Sequence, residues 1–419
     1  MHPGLHALIS IGIALMTFTV LHQRRVAIGR AMLLSAVALA LLLRVTPTAA
    51  WHQLVTEWQT RPRGETTPFL FLTLTGLVLL VNVLGTCMQE TGVSKRLAPA
   101  LRNLFRSRRA AMASIPLFMG MLPTPGGIML SAPMVRDLGD ANGVDRGRQA
   151  AINFFFRHQL ESLWPLFPAV PLVQVMLQIP PGRLLAWNLL IGLSGMIGGT
   201  VFLLLAGFPK ATDTPGPGGV ALLGSLRDFG HALWPIAFTA ILYAAFNVPA
   251  AIGILVAILA YLLFHRVPRQ RWRPIFLSSM EWDFALLILG ALLYKLNLDA
   301  AHAVADIAAF LSSHQVPVPV LVFGLPFLVG YVTGVTMPSV AMTFPLLKAF
   351  MGEGPSVHMG LEVLAFAGVI CGLLLTPVHL CLALSASYFE APLGRILRLV
   401  LPPTLVVAAA AFALAWLAQ

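Results

Sequence analysis

GMLPTPGGIMLSAPMV, residues 120–135, lies inside a long apolar region yet carries Pro123, Pro125, Gly126, Gly127 and Pro133. Proline lacks a backbone donor and clashes with the preceding turn, and paired glycines have no helix preference to resist it. No spanning helix runs through PTPGG. A bilayer tolerates non-helical backbone only where protein buries it or where it lines a watery cavity. The stretch therefore predicts the tip of a re-entrant helical hairpin, about 110–134, of the kind whose freed amides and carbonyls hold solutes and ions in transporters. The plainer reading is a loop between two short spans, but the flanks AAMASIPLFMG and IMLSAPMV are each too short to cross roughly 30 Å of hydrocarbon.

Composition sets the class. The 419 residues are 58% hydrophobic and 10% charged, whereas soluble domains carry about a quarter charged residues. An all-α polytopic membrane protein follows. The net charge of +11 does not point to nucleic acid, because the basic residues fall in short loops between apolar runs, as the positive-inside rule requires. Cys87, Cys371 and Cys381 have no metal-ligand spacing. No basic region precedes Leu5–Leu21, so that run reads as a retained span rather than a cleaved signal.

Apolar runs predict about ten transmembrane helices. A first half, 1–207, contains the hairpin and a span over 149–177 broken at Trp164–Pro165. The Pro- and Gly-rich PKATDTPGPGG marks a cytoplasmic linker, 208–230. A second half, 231–419, contains another interrupted apolar region, 319–348, and a span over 361–389 broken at Thr376–Pro377. Two segments, SKRLAPALRNLFRSRR and Ala300–Ser313, read as helices on the membrane face. With both termini outside, all but seven of the 27 Lys and Arg become cytoplasmic. The exceptions are Arg44, Arg61, Arg63, Arg183, Lys295 and Lys348 near the outer face and Arg157 inside the membrane.

The halves correspond. Pro116 and Gly120 lie 210 residues before Pro326 and Gly330, and Pro133 and Pro165 lie 212 before Pro345 and Pro377. Five spans per half is an odd number, so the second copy is inverted and its hairpin enters from the opposite side. Inverted repeats with discontinuous helices imply a midplane site and alternating access.

This arrangement resembles the ion transporter superfamily, whose members include sodium–dicarboxylate, citrate, gluconate and arsenite carriers and some sodium/proton antiporters. The PTPGG…SAP tip is most similar to an uncharacterised prokaryotic membrane family placed in that superfamily, while the Ser-Asn-Thr tips of the sodium–dicarboxylate carriers are absent. The resemblance implies a homodimer in a prokaryotic inner membrane, with a transport domain moving against a scaffold.

Chemistry concentrates at the breaks. FFFRHQLESLWP supplies Arg157, His158 and Glu161, with Asn153 one turn earlier. Counting from Gln149, Glu161 lies roughly 18 Å into the span, and ionisable residues at such depth default to function. Arg157 and Glu161, four apart, share a helix face. Either they form a structural pair locking the broken helix to a hairpin, or Arg157 meets an anion while Glu161, with His158, carries a proton. HxxE is also a fragment of a zinc site, but no second ligand cluster accompanies it. The first tip offers Pro123, Thr124, Pro125, Gly126, Gly127 and Ser131. The second offers Thr333, Gly334, Thr336, Pro338 and Ser339, with Thr376 and His379 at the second break. Sodium is a candidate ligand of Thr124, Gly126, Thr336 and Ser339; no other cofactor is expected. Glu90 and Lys295 end spans and are expected to snorkel to the interface. Gly192, Gly195, Gly198 and Gly199 suggest close helix packing or a dimer contact.

The expected function is a secondary transporter, elevator-like, moving a small organic anion driven by protons or sodium in contact with membrane lipid. The alternative is a cation/proton antiporter. An intramembrane enzyme lacks a nucleophile motif, a channel fits inverted halves less well, and no GxxxxGK phosphate loop supports a pump.

Overall fold

A computed structural model describes residues 2–105, 107–121, 128–206, 208 and 219–418. Among them the chain is all-α, with no strand. The N-terminal run comprises α1 (Pro3–Gln23), α2 (Ile28–Leu42), α3 (Pro47–Thr60), α4 (Thr67–Glu90) and α5 (Val93–Leu104). It continues with α6 (Arg108–Gly120), α7 (Ile128–Asp140), α8 (Arg146–Arg157), α9 (Ala169–Met176) and α10 (Pro181–Gly199). The C-terminal run opens with α11 (Gly219–Phe246), α12 (Ala250–Phe264), α13 (Arg269–Ser278), α14 (Trp282–Ala300) and α15 (Ala303–Ser313). It closes with α16 (Val318–Thr333), α17 (Thr336–Met351), α18 (Met359–Leu375), α19 (Leu380–Tyr388) and α20 (Leu393–Leu417).

Side-chain caps account for several starts. Thr46 accepts from the Ala49 amide at 3.2 Å, Asp145 from Arg148 at 3.1 Å and His358 from Leu361 at 3.2 Å, each satisfying a donor that has no partner within the helix. Among the described residues six helices are long and apolar enough to cross a membrane, or eight if two bent pairs count as single spans, where sequence reading expects ten. Leu41, Leu72, Ile197, Leu223 and Phe264 stand exposed on their outer faces, where hydrocarbon removes the cost of exposure. The protein is a multi-pass membrane protein. Helix α3 turns 107° from α2 and so lies across the direction of the spans rather than continuing one.

Packing proceeds in matched pairs. Helix α1 packs on α2 and α15, and α11 packs on α12 and α5. Helix α2 lies against α14 as α12 lies against α4, and α6 contacts α8 as α16 contacts α18. The apolar stripe of α5, with Val93, Leu97 and Leu101 buried, therefore faces α11 rather than lipid alone.

Three expectations change. The linker is shorter than 208–230, because α11 begins at Gly219 and runs 28 residues. The first break spans 158–168, not two residues, for a reason given below. Lys295 does not snorkel: it is buried, its Nζ lying 2.9 Å from Glu57 Oε1 and 3.0 Å from Asp299 Oδ2. Glu57, on α3, is itself 1% exposed and accepts from the Thr67 hydroxyl at 2.7 Å, with Arg61 at 3.8 Å. A buried carboxylate outcompetes the interface for this ammonium. The glycines of α10 do mark close packing, since a Cβ at Gly192 or Gly195 would strike Gln159 and one at Gly198 would meet Pro403.

Candidate functional site

Helix α8 stops at Arg157 because the next two side chains cap its open end. His158 Nδ1 bonds the Phe154 carbonyl at 2.7 Å and Gln159 Nε2 donates to the Phe155 carbonyl at 2.6 Å. Both carbonyls would otherwise accept from the next helical turn. Pro165 and Pro168 then keep the chain irregular until α9. In the second half Thr376 and Pro377 end α18, and α19 restarts at Leu380.

The two breaks meet. His158 Nε2 lies 3.0 Å from His379 Nε2, and His379 Nδ1 reaches the Gly334 carbonyl at 2.6 Å. Gly334, the turn between α16 and α17, has φ +66°, and a Cβ there would stand 3.2 Å from Val378 and 3.3 Å from His379. Only glycine combines that backbone with such close approach. One point thus gathers the first break, the second break and the α16–α17 turn, next to the N-terminal ends of α17 and α19. Glu161 Oε1 is 3.7 Å from His158 Nε2. One ring nitrogen of each histidine and Cys381 Sγ lie within 4.8 Å of one another.

Arg157 and Glu161 do not share a helical face, because α8 ends between them. Instead the buried guanidinium of Arg157 donates to the Met119 carbonyl at 3.2 Å, near the end of α6. Arg157 therefore fastens the break to the end of α6. Ser131 and Asn153, both buried, bond each other at 2.6 Å and tie α7 to α8. Thr333 and Ser339 bond across the second turn at 3.1 Å, Ser339 also donating to the Val335 carbonyl. The Thr376 hydroxyl accepts from the Val378 amide at 3.3 Å. Pro338 is buried in the first turn of α17. Thr336 lines a cavity of about 120 Å³ together with Leu166, Pro168, Val335, Val78 and Ile288, beside the first break. Pro123, Thr124, Pro125, Gly126 and Gly127 lie outside the described residues.

Two groups, one partly and one fully buried, escape a sequence reading. Cys381 belongs to HxC, a spacing that signals nothing until His158 arrives from 221 residues away. Glu362, fully buried on α18, accepts from Asn188 Nδ2 at 3.3 Å; it sits at the start of an apolar run and reads there as an end-of-span charge. Ser162 Oγ and Trp164 Nε1, within the first break, have no partner among the described residues.

A family model spans residues 5–419, nearly the entire chain. The chain belongs to the family described as protein of unknown function DUF401. For this DUF401 chain, no protein of curated function matches. Its fold is similar to that of the YdaH transporter of Alcanivorax borkumensis, whose crystal structure reveals an unusual topology. The TM-score is 0.61 at 14% sequence identity, over 89% of each chain. At that identity the likeness is one of fold.

Proposed function

We propose that this protein is a secondary transporter working by alternating access and moving a small organic anion coupled to protons or sodium. The observation that carries the reading is the meeting of two helix breaks and a hairpin turn at one part-buried polar cluster inside a membrane fold. Broken helices around a midplane site are the usual architecture of such carriers, and the similarly folded YdaH protein is a transporter. The N-terminal ends of α17 and α19 adjoin there, and helix N-termini favour negative charge. Ser162 and Trp164 offer polar atoms to a solute.

The paired packing of α1 with α15 and α11 with α5, and its counterparts, supports two inverted repeats with oppositely entering hairpins. An elevator-like motion of a homodimer, in a prokaryotic inner membrane with both termini outside, belongs to the same proposal. So does a sodium site using Thr336 and Ser339. A second reading, cation/proton antiport, is favoured by one specific feature: His158, His379, Cys381 and Glu161 turn electron-rich atoms toward each other.

The test is uptake into proteoliposomes under separately imposed proton and sodium gradients, with a panel of small carboxylates, phosphonates and inorganic cations. An organic anion should accumulate, and Glu161→Gln should cut gradient-driven accumulation at least about tenfold, the equivalent of about 1.4 kcal/mol. Exchange of metal cations alone for protons would replace the anion reading with antiport. No movement under any gradient would remove the transport reading.

A further inference from the structure

The proton positions on the two histidines follow from their partners. A backbone carbonyl can only accept a hydrogen bond. His158 Nδ1 faces the Phe154 carbonyl at 2.7 Å and His379 Nδ1 faces the Gly334 carbonyl at 2.6 Å, so both rings carry hydrogen on Nδ1. In neutral imidazole the other nitrogen is then a bare lone pair. Those two lone pairs, on the Nε2 atoms, confront each other at 3.0 Å in a part-buried site. Such a pair repels unless an electron-poor partner joins it.

The surroundings say which partner. Cys381 Sγ stands within 4.8 Å of one ring nitrogen of each histidine, and Glu161 Oε1 stands 3.7 Å from His158 Nε2. Two ligands follow α8 and two open α19, so rigid breaks from both halves present them. We propose that His158, His379 and Cys381, completed by Glu161, bind one divalent metal ion of the zinc class. Two imidazoles, a thiolate and one carboxylate form a borderline-soft donor set that suits zinc or cobalt and suits magnesium, calcium or sodium poorly. A thiolate and a carboxylate offset the two charges of the dication, and the Arg157 guanidinium, which also interacts with Cys381 and Glu161, adds one positive charge beside them.

Geometry is compatible. With Zn–N bonds of about 2.0–2.1 Å, tetrahedral nitrogens lie about 3.3 Å apart, so the rings need to part by only tenths of an ångström. Cys381 closes to about 3.6 Å from each nitrogen by rotation about its own side-chain bonds. Each ligating ring already donates its other N–H to a backbone carbonyl, the outer contact that fixes ring orientation in metal sites. A proton shared by the two rings is the competing occupant; it would fill the gap between the nitrogens while Cys381 keeps its hydrogen bonds to His158 and Arg157 and binds no ion.

Cobalt(II) titration of the purified full chain in detergent separates these. One equivalent per chain is expected, with the intense visible bands of tetrahedral cobalt and a near-ultraviolet thiolate-to-cobalt charge-transfer band, both removed by zinc. Cys381→Ser should abolish the charge-transfer band, and His379→Gln should weaken binding by more than the 10–100-fold typical of losing an outer contact. Magnesium and sodium should not compete. The charge-transfer band of the unaltered protein decides the matter even if a variant fails to fold. A spectrum without it, or one unchanged by Cys381→Ser, would overturn the site. Binding is read without any transport cycle, so failure of the uptake experiment leaves this test intact.

Discussion

Gly120→Ala is expected to force α6 off α8 and to abolish activity along with much of the stability. A Cβ at residue 120 would stand 2.3 Å from the Arg157 carbonyl oxygen and 3.1 Å from its carbon. Both are backbone atoms, so no rotamer change relieves the clash. The helices must separate, which breaks the bond from Arg157 to the Met119 carbonyl and displaces His158, the next residue. Overpacking of a well-packed interior typically costs about 1–3 kcal/mol, and a backbone-on-backbone collision belongs at the upper end. Gly330→Ala, at the corresponding place on α16, meets the Val369 oxygen at 2.8 Å and should cost less. Gly224→Ala on α11, with open space around it, should be neutral or slightly stabilising by removing backbone freedom from the unfolded chain. Thermal unfolding in detergent should rank the three variants in that order. Equal melting curves for Gly120→Ala and Gly224→Ala would refute the packing described here.

Lys295→Met is the second large effect. It strips Glu57 of its nearest cation while leaving the carboxylate buried, a change that costs about 3–5 kcal/mol when one partner of a buried pair is removed. The pH dependence carries the sign. Burial alone would raise the Glu57 pKa, but the Lys295 ammonium, the Thr67 hydroxyl and Arg61 together hold it below the ordinary glutamate value. A depressed folded-state pKa contributes stability that is complete above the unfolded value and is lost as pH falls through the folded one. In the unaltered protein this contribution is therefore full at neutral pH and fades on acidification. Without Lys295 the burial effect dominates, the folded protein prefers a neutral carboxyl, and acidification into the glutamate range should recover stability relative to neutral pH. Melting curves at neutral and mildly acidic pH would show this crossing. A double change, Glu57→Gln with Lys295→Met, should restore part of the loss, since the charge that needed a partner is gone.

These two positions also show what the sequence holds and what it conceals. The all-helical membrane class is written in the apolar runs, and the second break in Thr376–Pro377, because both depend on neighbouring residues only. The first break is partly visible through Pro165 and Pro168. Its true start is not, since His158 and Gln159 end α8 with side-chain bonds that no periodicity records. That hidden stop also separates Arg157 from Glu161, which a continuous helix would pair. Lys295 looks like an interface lysine until Glu57, 238 residues away, is placed beside it. Cys381 looks inert for the same reason, because His158 reaches it from the other half of the chain. Local rules see helices and their interruptions; they do not see which interruptions face each other.

The carbonyls of Phe154 and Gly334 fix both imidazoles before anything enters. An occupant therefore bears little cost of ordering its ligands, and preorganisation of this kind raises affinity without adding contacts. It also narrows tolerance. An ion with longer bonds to nitrogen must push the rings apart, and His379 can retreat only by dragging its ring away from the Gly334 turn. Size discrimination at this cluster would then reside in the stiffness of a hairpin rather than in the identity of the atoms that touch the ion.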